Sequence, residues 1–206
     1  MLTRRTLLLL SGAALAMASL PDCLAFAQTA NSAAPAFVQR TGDELIRAMD
    51  QAHTPQTKRQ ALLQIVERTV DVNGIARFCL GRYWRMATPQ QQQDYTAVFH
   101  QTLINSITAR IGDYQGVHFT IGRSAPMGDG TAVQTTVFRP NNPPVDVQWL
   151  VSEDGGSPKI IDVQAEGTSM RLTERSDYTS FLQQHGGNVQ ALIEALRRQA
   201  AQQQAG

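Results

Sequence analysis

The sequence predicts an α+β fold, with helices packed on one face of a curved four-stranded antiparallel sheet that encloses an apolar cavity. Three observations carry the layout of helices and sheet. Apolar residues recur at helical spacing up to about residue 111, alternate with polar ones from Gly116 to Ala165, and return to helical spacing near Leu172. Short turn sequences separate the alternating runs, which makes their strands antiparallel neighbours. Strands and helices lie in separate blocks of the chain, the mark of α+β rather than of a parallel sheet.

Each element has a local reason. Pro35 suits the first position of a helix on which Val38, Leu45 and Met49 share one face. Thr54-Pro55 repeats the start signal, and Leu62, Val66 and Thr69 make the next apolar face. Residues 71–86 read as a short helix, a glycine break and an aromatic pair. Thr88-Pro89-Gln90-Gln91 has capping-box spacing and opens a helix carrying Tyr95, Phe99, Leu103, Ile107 and Ile111. Val117, Phe119 and Ile121 alternate along the first strand, and Met127 to Gly130 turns the chain. Residues 131–139 make the second strand, 145–151 the third and 159–165 the fourth, separated by Pro/Asn-rich and Gly-rich turns. Gly186-Gly187 stops the next helix, Asn188 caps the last one, and residues 199–206 read as a polar, frayed end.

Residues 1–27 read as a secretory signal peptide, with Arg4-Arg5, a 14-residue apolar run from Leu7 to Leu20, and Ala25-Phe26-Ala27 before Gln28. The run falls short of the roughly 20 residues that span a bilayer as a helix. Thr3 to Leu9 also resembles a twin-arginine export signal. The expected organisation is therefore a signal peptide over 1–27 and one exported domain over 28–206. The 206-residue chain less its first 27 leaves 179 residues, one cysteine (Cys79), and 16 basic against 16 acidic side chains. That balance excludes a polybasic nucleic-acid binder. The cysteine count excludes a disulfide framework and a tetracysteine zinc site.

Little in the sequence points to catalysis. His53, His100, His118 and His185 share no metal-ligand spacing, so neither a metal nor another cofactor is expected. Phe78 and Leu80 flank Cys79, which favours a buried structural thiol over a nucleophile. Asp146 and Asp162 are the one pair that an open α+β pocket enzyme would use as acid and base. The stronger signal is apolar alternation. Val117, Phe119, Ile121, Val133, Val137, Val145, Val147, Trp149, Val151, Ile161 and Val163 are candidates for an apolar lining, with Phe99, Leu103 and Ile107 as its roof. Periodicity alone leaves open whether these positions line a ligand cavity or fill an ordinary core.

Four blocks resemble a known family. Phe78 to Arg85 (FCLGRYWR) followed by Thr88, Gln91 and Phe99 resembles F-x-L-G-x-x-W-R…T-x-x-Q…F. Lys159 to Met170 (KIIDVQAEGTSM) resembles K-I-x-D-V-x-x-E-G-x-S, Arg175-Ser176-Asp177-Tyr178 resembles R-S-x-F, and Leu192 to Leu196 resembles L-I-x-x-L. The sequence departs from that pattern at Pro158, where the family has an aromatic residue, and at Tyr178. These blocks are similar to the MlaC, or toluene-tolerance, family. The resemblance implies a non-enzymatic periplasmic carrier of glycerophospholipid. It implies two partners, an inner-membrane Mla ABC transporter complex and an outer-membrane lipoprotein–porin complex, and a role in outer-membrane lipid asymmetry. A hopanoid-associated branch of the family shares the blocks and remains an alternative, as does a small pocket enzyme. Arg82, Arg85 and Arg171 are candidate neighbours of a phosphate, with surface ion pairing as the competing role.

Overall fold

A computed structural model describes residues 33–109 and 116–205. The proposed export segment and Ile111 lie outside the described residues. Helices α1 (Ala34–Gln51), α2 (Pro55–Thr69) and α3 (Val72–Leu80) come first, then a 3-10 turn over Gly81–Arg85 and helix α4 (Pro89–Thr108). Strands β1 (His118–Met127), β2 (Gly130–Phe138), β3 (Val145–Ser152), β4 (Lys159–Ala165) and β5 (Thr168–Ser169) follow, and α5 (Met170–Gln184) and α6 (Val189–Ala205) close the chain. No described helix is long and apolar enough to cross a membrane.

The start signals act as the sequence predicts. Thr54 and Thr88 each accept from the backbone three residues on, and Thr57 and Gln91 reach back to the cap nitrogens. Each box satisfies two N–H groups that the first helical turn leaves unpaired. Asp71 caps α3 by accepting from Gly74 N at 2.9 Å, and Asn188 caps α6 by accepting from Ala191 N at 3.2 Å. The frayed end is a correction: α6 continues to Ala205. Ala200 is buried, and its carbonyl accepts from the amide of buried Asn105 on α4, so a tertiary contact holds a segment whose own composition is weak.

The sheet is a meander in the order β1-β2-β3-β4-β5, every pair antiparallel. It has five strands rather than the expected four, because the chain turns at Glu166-Gly167, both at positive φ, and pairs Thr168 and Ser169 with β4. Two residues are too short to register as a period in the sequence. Register shifts break β1 between Ile121 and Ser124 and the β3–β4 pair between Leu150 and Val151. Bulges of this kind bend a sheet and re-aim side chains.

Two cores result. The larger lies among the helices, where Tyr95, Phe99 and Tyr178 pack with ring centroids 5.9–6.4 Å apart, and the fully buried Tyr95 donates to Ala76 O. The smaller lies where α1 meets the sheet: Ala34, Phe37 and Val38 bury Val133, Val151 and Ile160. The far half of α1, with Leu45, Ala48 and Met49, joins the helical core, so α1 ties the two together. At the other junction, Asp71 N donates to Ile160 O as the chain passes from α2 to α3.

Two predictions follow from this packing. Gly81 ends α3 at φ 58° and ψ −128°, and a Cβ there would come within 3.2 Å of the Arg175 guanidinium. Gly81→Ala should therefore destabilise the fold by about 1–3 kcal/mol in urea unfolding. Cys79 is fully buried, its thiol is pushed up to about 12 chiefly by that burial, and its Sγ donates to Arg171 O. In a Cys23→Ser background, an alkylating reagent at pH 8 should leave Cys79 unmodified until urea unfolds the chain; rapid labelling of the native protein would contradict this.

Candidate lipid-binding face and arginine cleft

Strand pairing sorts the candidate lining residues. Phe119 pairs with Val137, and Val137 with Val145; Ile121 pairs with Thr135, and Thr135 with Val147. Val133, Trp149 and Val163 form one row across the sheet, and Thr131, Val151 and Ile160 another. Paired residues share a face, so these rows make one apolar surface across four strands. Of its two threonines, Thr135 is buried, accepts from Trp149 Nε1 at 2.9 Å and donates to Val147 O at 3.1 Å.

Burial across this surface is graded. Val133 and Val151 are fully buried beneath the first turns of α1. Phe119, Ile121, Val137, Val145, Val147, Trp149 and Val163 are only half-buried, as is Val117 just before β1. Gly42 on α1 lies against the Phe119 ring, and a Cβ there would fall 2.3 Å from Phe119 Cζ. Helix α1 thus passes closely over β1 and leaves the neighbouring rows only partly covered. The expected enclosure is a partly covered apolar shelf.

Two groups of candidates sit elsewhere. Phe99 is buried in the helical core, with Leu103 and Ile107 packed against it, so α4 builds the helix bundle. Ile161 leaves the shelf because of the β3–β4 register shift. Val151 pairs with Ile160 and Leu150 with Asp162, and Ile161 packs with Ala132 and Leu150 on the opposite face. Strict alternation from Val163 back to Ile161 misses that extra residue.

The opposite face gives no acid/base pair. Asp146 is exposed and accepts from Thr136 Oγ1, and it lies four residues along β3 from Leu150, the partner of Asp162. That separation is about 13 Å. Asp162 is buried and structural. It accepts from Ser169 Oγ at 2.6 Å, Val163 N at 2.8 Å and Arg171 N at 3.1 Å, with Arg171 Nε 3.7 Å away. These bonds pin the end of the sheet to the start of α5.

From that junction a cleft of about 550 Å3 opens between α3, the 3-10 turn and α5. Arg77, Arg82, Arg85, Arg171 and Arg175 line it, with Asp71, Asp129, Ile161, Phe78 and Trp84. Arg171 forms a two-pronged pair with Asp129, whose carboxyl it holds below the usual carboxylate range. The Arg171 and Arg175 guanidinium carbons lie 4.5 and 4.8 Å from the Phe78 ring centroid, and Arg175 donates to Phe78 O. The sequence offers Arg82, Arg85 and Arg171 as candidate phosphate neighbours or surface ion-pair partners, and Arg171 takes the second role with Asp129; Arg77 and Arg175 join them only in space. The visible signal was the meeting of F-x-L-G-x-x-W-R with R-S-x-F, whose Phe78, Gly81, Trp84, Arg85 and Arg175 all border this cleft.

Comparison with known proteins fits this geometry. The chain is 25% identical over 142 residues to the toluene tolerance protein ttg2D of Pseudomonas putida, a match spanning 68% of this chain and 66% of that relative's length. A phospholipid-binding protein from Ralstonia solanacearum, solved in complex with a phospholipid, shares the fold with a TM-score of 0.71 at 23% identity, over 82% of this chain and 98% of that one. The MlaC protein family model matches residues 39–198, from within α1 to within α6. The chain therefore belongs to the MlaC family.

Proposed function

We propose that this protein is a periplasmic carrier that binds phospholipid by its acyl tails and moves it between the outer and inner membranes. The observation that carries the reading is the row of half-buried apolar side chains beside α1, from Phe119 across Val137, Val145 and Val147 to Trp149 and Val163. The Ralstonia relative, which has this fold and holds a phospholipid, supports it.

The energetics define what such a carrier must do. Exposing a lipid with on the order of 30 methylenes to water costs roughly 24 kcal/mol at about 0.8 kcal/mol each. A carrier must therefore replace nearly all the apolar contact of the bilayer. An eight-residue strand such as β3 spans about 26 Å, against about 15 Å of hydrocarbon in one leaflet. The shelf is long enough for a tail, and apolar rows on neighbouring strands give it width. Binding by tails needs no catalytic group, and the protein in this reading is not an enzyme. Its partners would be a membrane complex on each side, the inner-membrane transporter and the outer-membrane lipoprotein–porin complex. Their shared role would be to keep the outer membrane's two leaflets different.

The direct test is to purify the protein from the periplasm without detergent, extract it with organic solvent and analyse the extract by mass spectrometry. Phospholipid at about one molecule per chain or more supports the reading, and an empty extract refutes it. Hopanoid in place of phospholipid would move the cargo assignment to the other branch of the family. Two further outcomes are expected. The lipid should remain bound in 1 M salt, where screening reaches within about 3 Å, because tails and not charges hold it. Val147→Arg places a charge among the apolar rows at a half-buried site. It should weaken lipid retention about a hundredfold while leaving the urea midpoint near that of the parent.

A further inference from the structure

We infer that the arginine cleft between α3, the 3-10 turn and α5 is a binding site for a phosphate group, separate from the apolar shelf and independent of the carrier reading. Five guanidinium groups line it: Arg77, Arg82, Arg85, Arg171 and Arg175. Three carboxylates oppose them, and each already has a partner. Asp71 caps α3, Asp129 is held two-pronged by Arg171, and Asp162 takes the Ser169 hydroxyl and two backbone N–H groups. The lining of the cleft thus holds five guanidinium groups against two carboxylates, with buried Asp162 behind Arg171.

The donors are also placed for use. Arg175 spends one N–H on Phe78 O, and Arg82 spends one on Tyr83 Oη. Among the described residues, the Arg77 and Arg85 side chains donate no hydrogen bond and join no ion pair. Each guanidinium has five N–H groups in a planar fork that matches phosphate oxygens two at a time. Aromatic faces hold several of these forks in position: Phe78 lies beneath Arg171 and Arg175, Trp84 beneath Arg77 at 5.9 Å, and Tyr83 beneath Arg82 at 4.9 Å. The fold also makes room for the cluster, since Gly81 leaves the space that the Arg175 guanidinium occupies. A concavity of about 550 Å3 has the size of a small-molecule site. It is too polar and too cationic for acyl tails, which leaves an anion of phosphate type. The source is either a soluble phosphate or the headgroup of a phosphatidyl lipid.

Calorimetric titration of the full exported chain separates these sources. The probes are inorganic phosphate and dihexanoyl phosphatidylglycerol below its micelle concentration, each at low salt. The test variant is Arg77→Gln/Arg85→Gln, which removes two charges and no hydrogen bond of the fold. Parent binding of inorganic phosphate that weakens about tenfold or more in the variant supports a soluble phosphate. Binding of the short-chain lipid alone, with the same loss in the variant, supports a headgroup. Either binding should also weaken as salt is raised. Two results would overturn the inference: binding that the variant leaves unchanged, or no binding of either probe, in which case binding of polyglutamate as a control would make the cleft a dock for an acidic protein. The phospholipid found by extraction is a separate readout. Its retention in the variant, beside lost phosphate binding, distinguishes failure of the cleft from failure of the shelf.

Discussion

An apolar sheet face must be covered, and among the described residues the main cover is helix α1, which also has to serve a second core. The first turns of α1 bury Val133, Val151 and Ile160, and its last turns are committed to the helix bundle through Leu45, Ala48 and Met49. What lies between has to bridge the two. Gly42 allows close passage over Phe119, whose ring lies where a Cβ would stand. The rows around Val137, Val145 and Val147 stay half-buried because α1 is already spoken for at both ends. Apolar surface left in this state is costly in water and becomes favourable once an apolar ligand covers it.

The other side of the molecule has a different organisation. Asp162 takes three hydrogen bonds within a few residues and so fixes the angle at which α5 leaves the sheet. That angle brings Arg171 and Arg175 onto Phe78, and the Phe78 carbonyl accepts from Arg175 where α3 ends at Gly81. Residues from three separate blocks of the chain thus depend on one carboxylate. Apolar shelf and cationic cleft lie on opposite faces of the same strands, and Ile161 belongs to the second because a bulge turned it there. A tail-binding surface and an anion-binding surface can then be tuned independently.

Much of this was legible in the sequence. The helix starts at Thr54 and Thr88 were readable because a threonine before proline is a local start signal, to which Thr88 adds capping-box spacing with Gln91. The strands were readable because alternation is the direct consequence of a half-buried sheet. The failures share one cause, which is that they depend on contacts distant in sequence. Ile161 changes face through a register shift against β3, the tail of α6 is held by Asn105 some 95 residues away, and β5 exists only because β4 is there to pair with it. The roof assigned to Phe99, Leu103 and Ile107 had the right apolar face and the wrong neighbour: α4 packs in the helical core. Arg77 and Arg175 lie 98 residues apart and meet only after the chain has folded, so composition, with 18 basic and 17 acidic residues in all, concealed a local excess of charge.

The two tryptophans allow the central claim to be measured. Trp149 lies in a shelf row between Val133 and Val163, and Trp84 borders the arginine cleft. Phospholipid with bromine on its acyl chains quenches only the indoles that its tails touch. Loading such lipid into single-tryptophan variants, Trp84→Phe and Trp149→Phe, reports each site separately. The account predicts strong quenching of Trp149 and little of Trp84. Quenching of Trp84 with Trp149 unaffected would place the tails outside the shelf and contradict it.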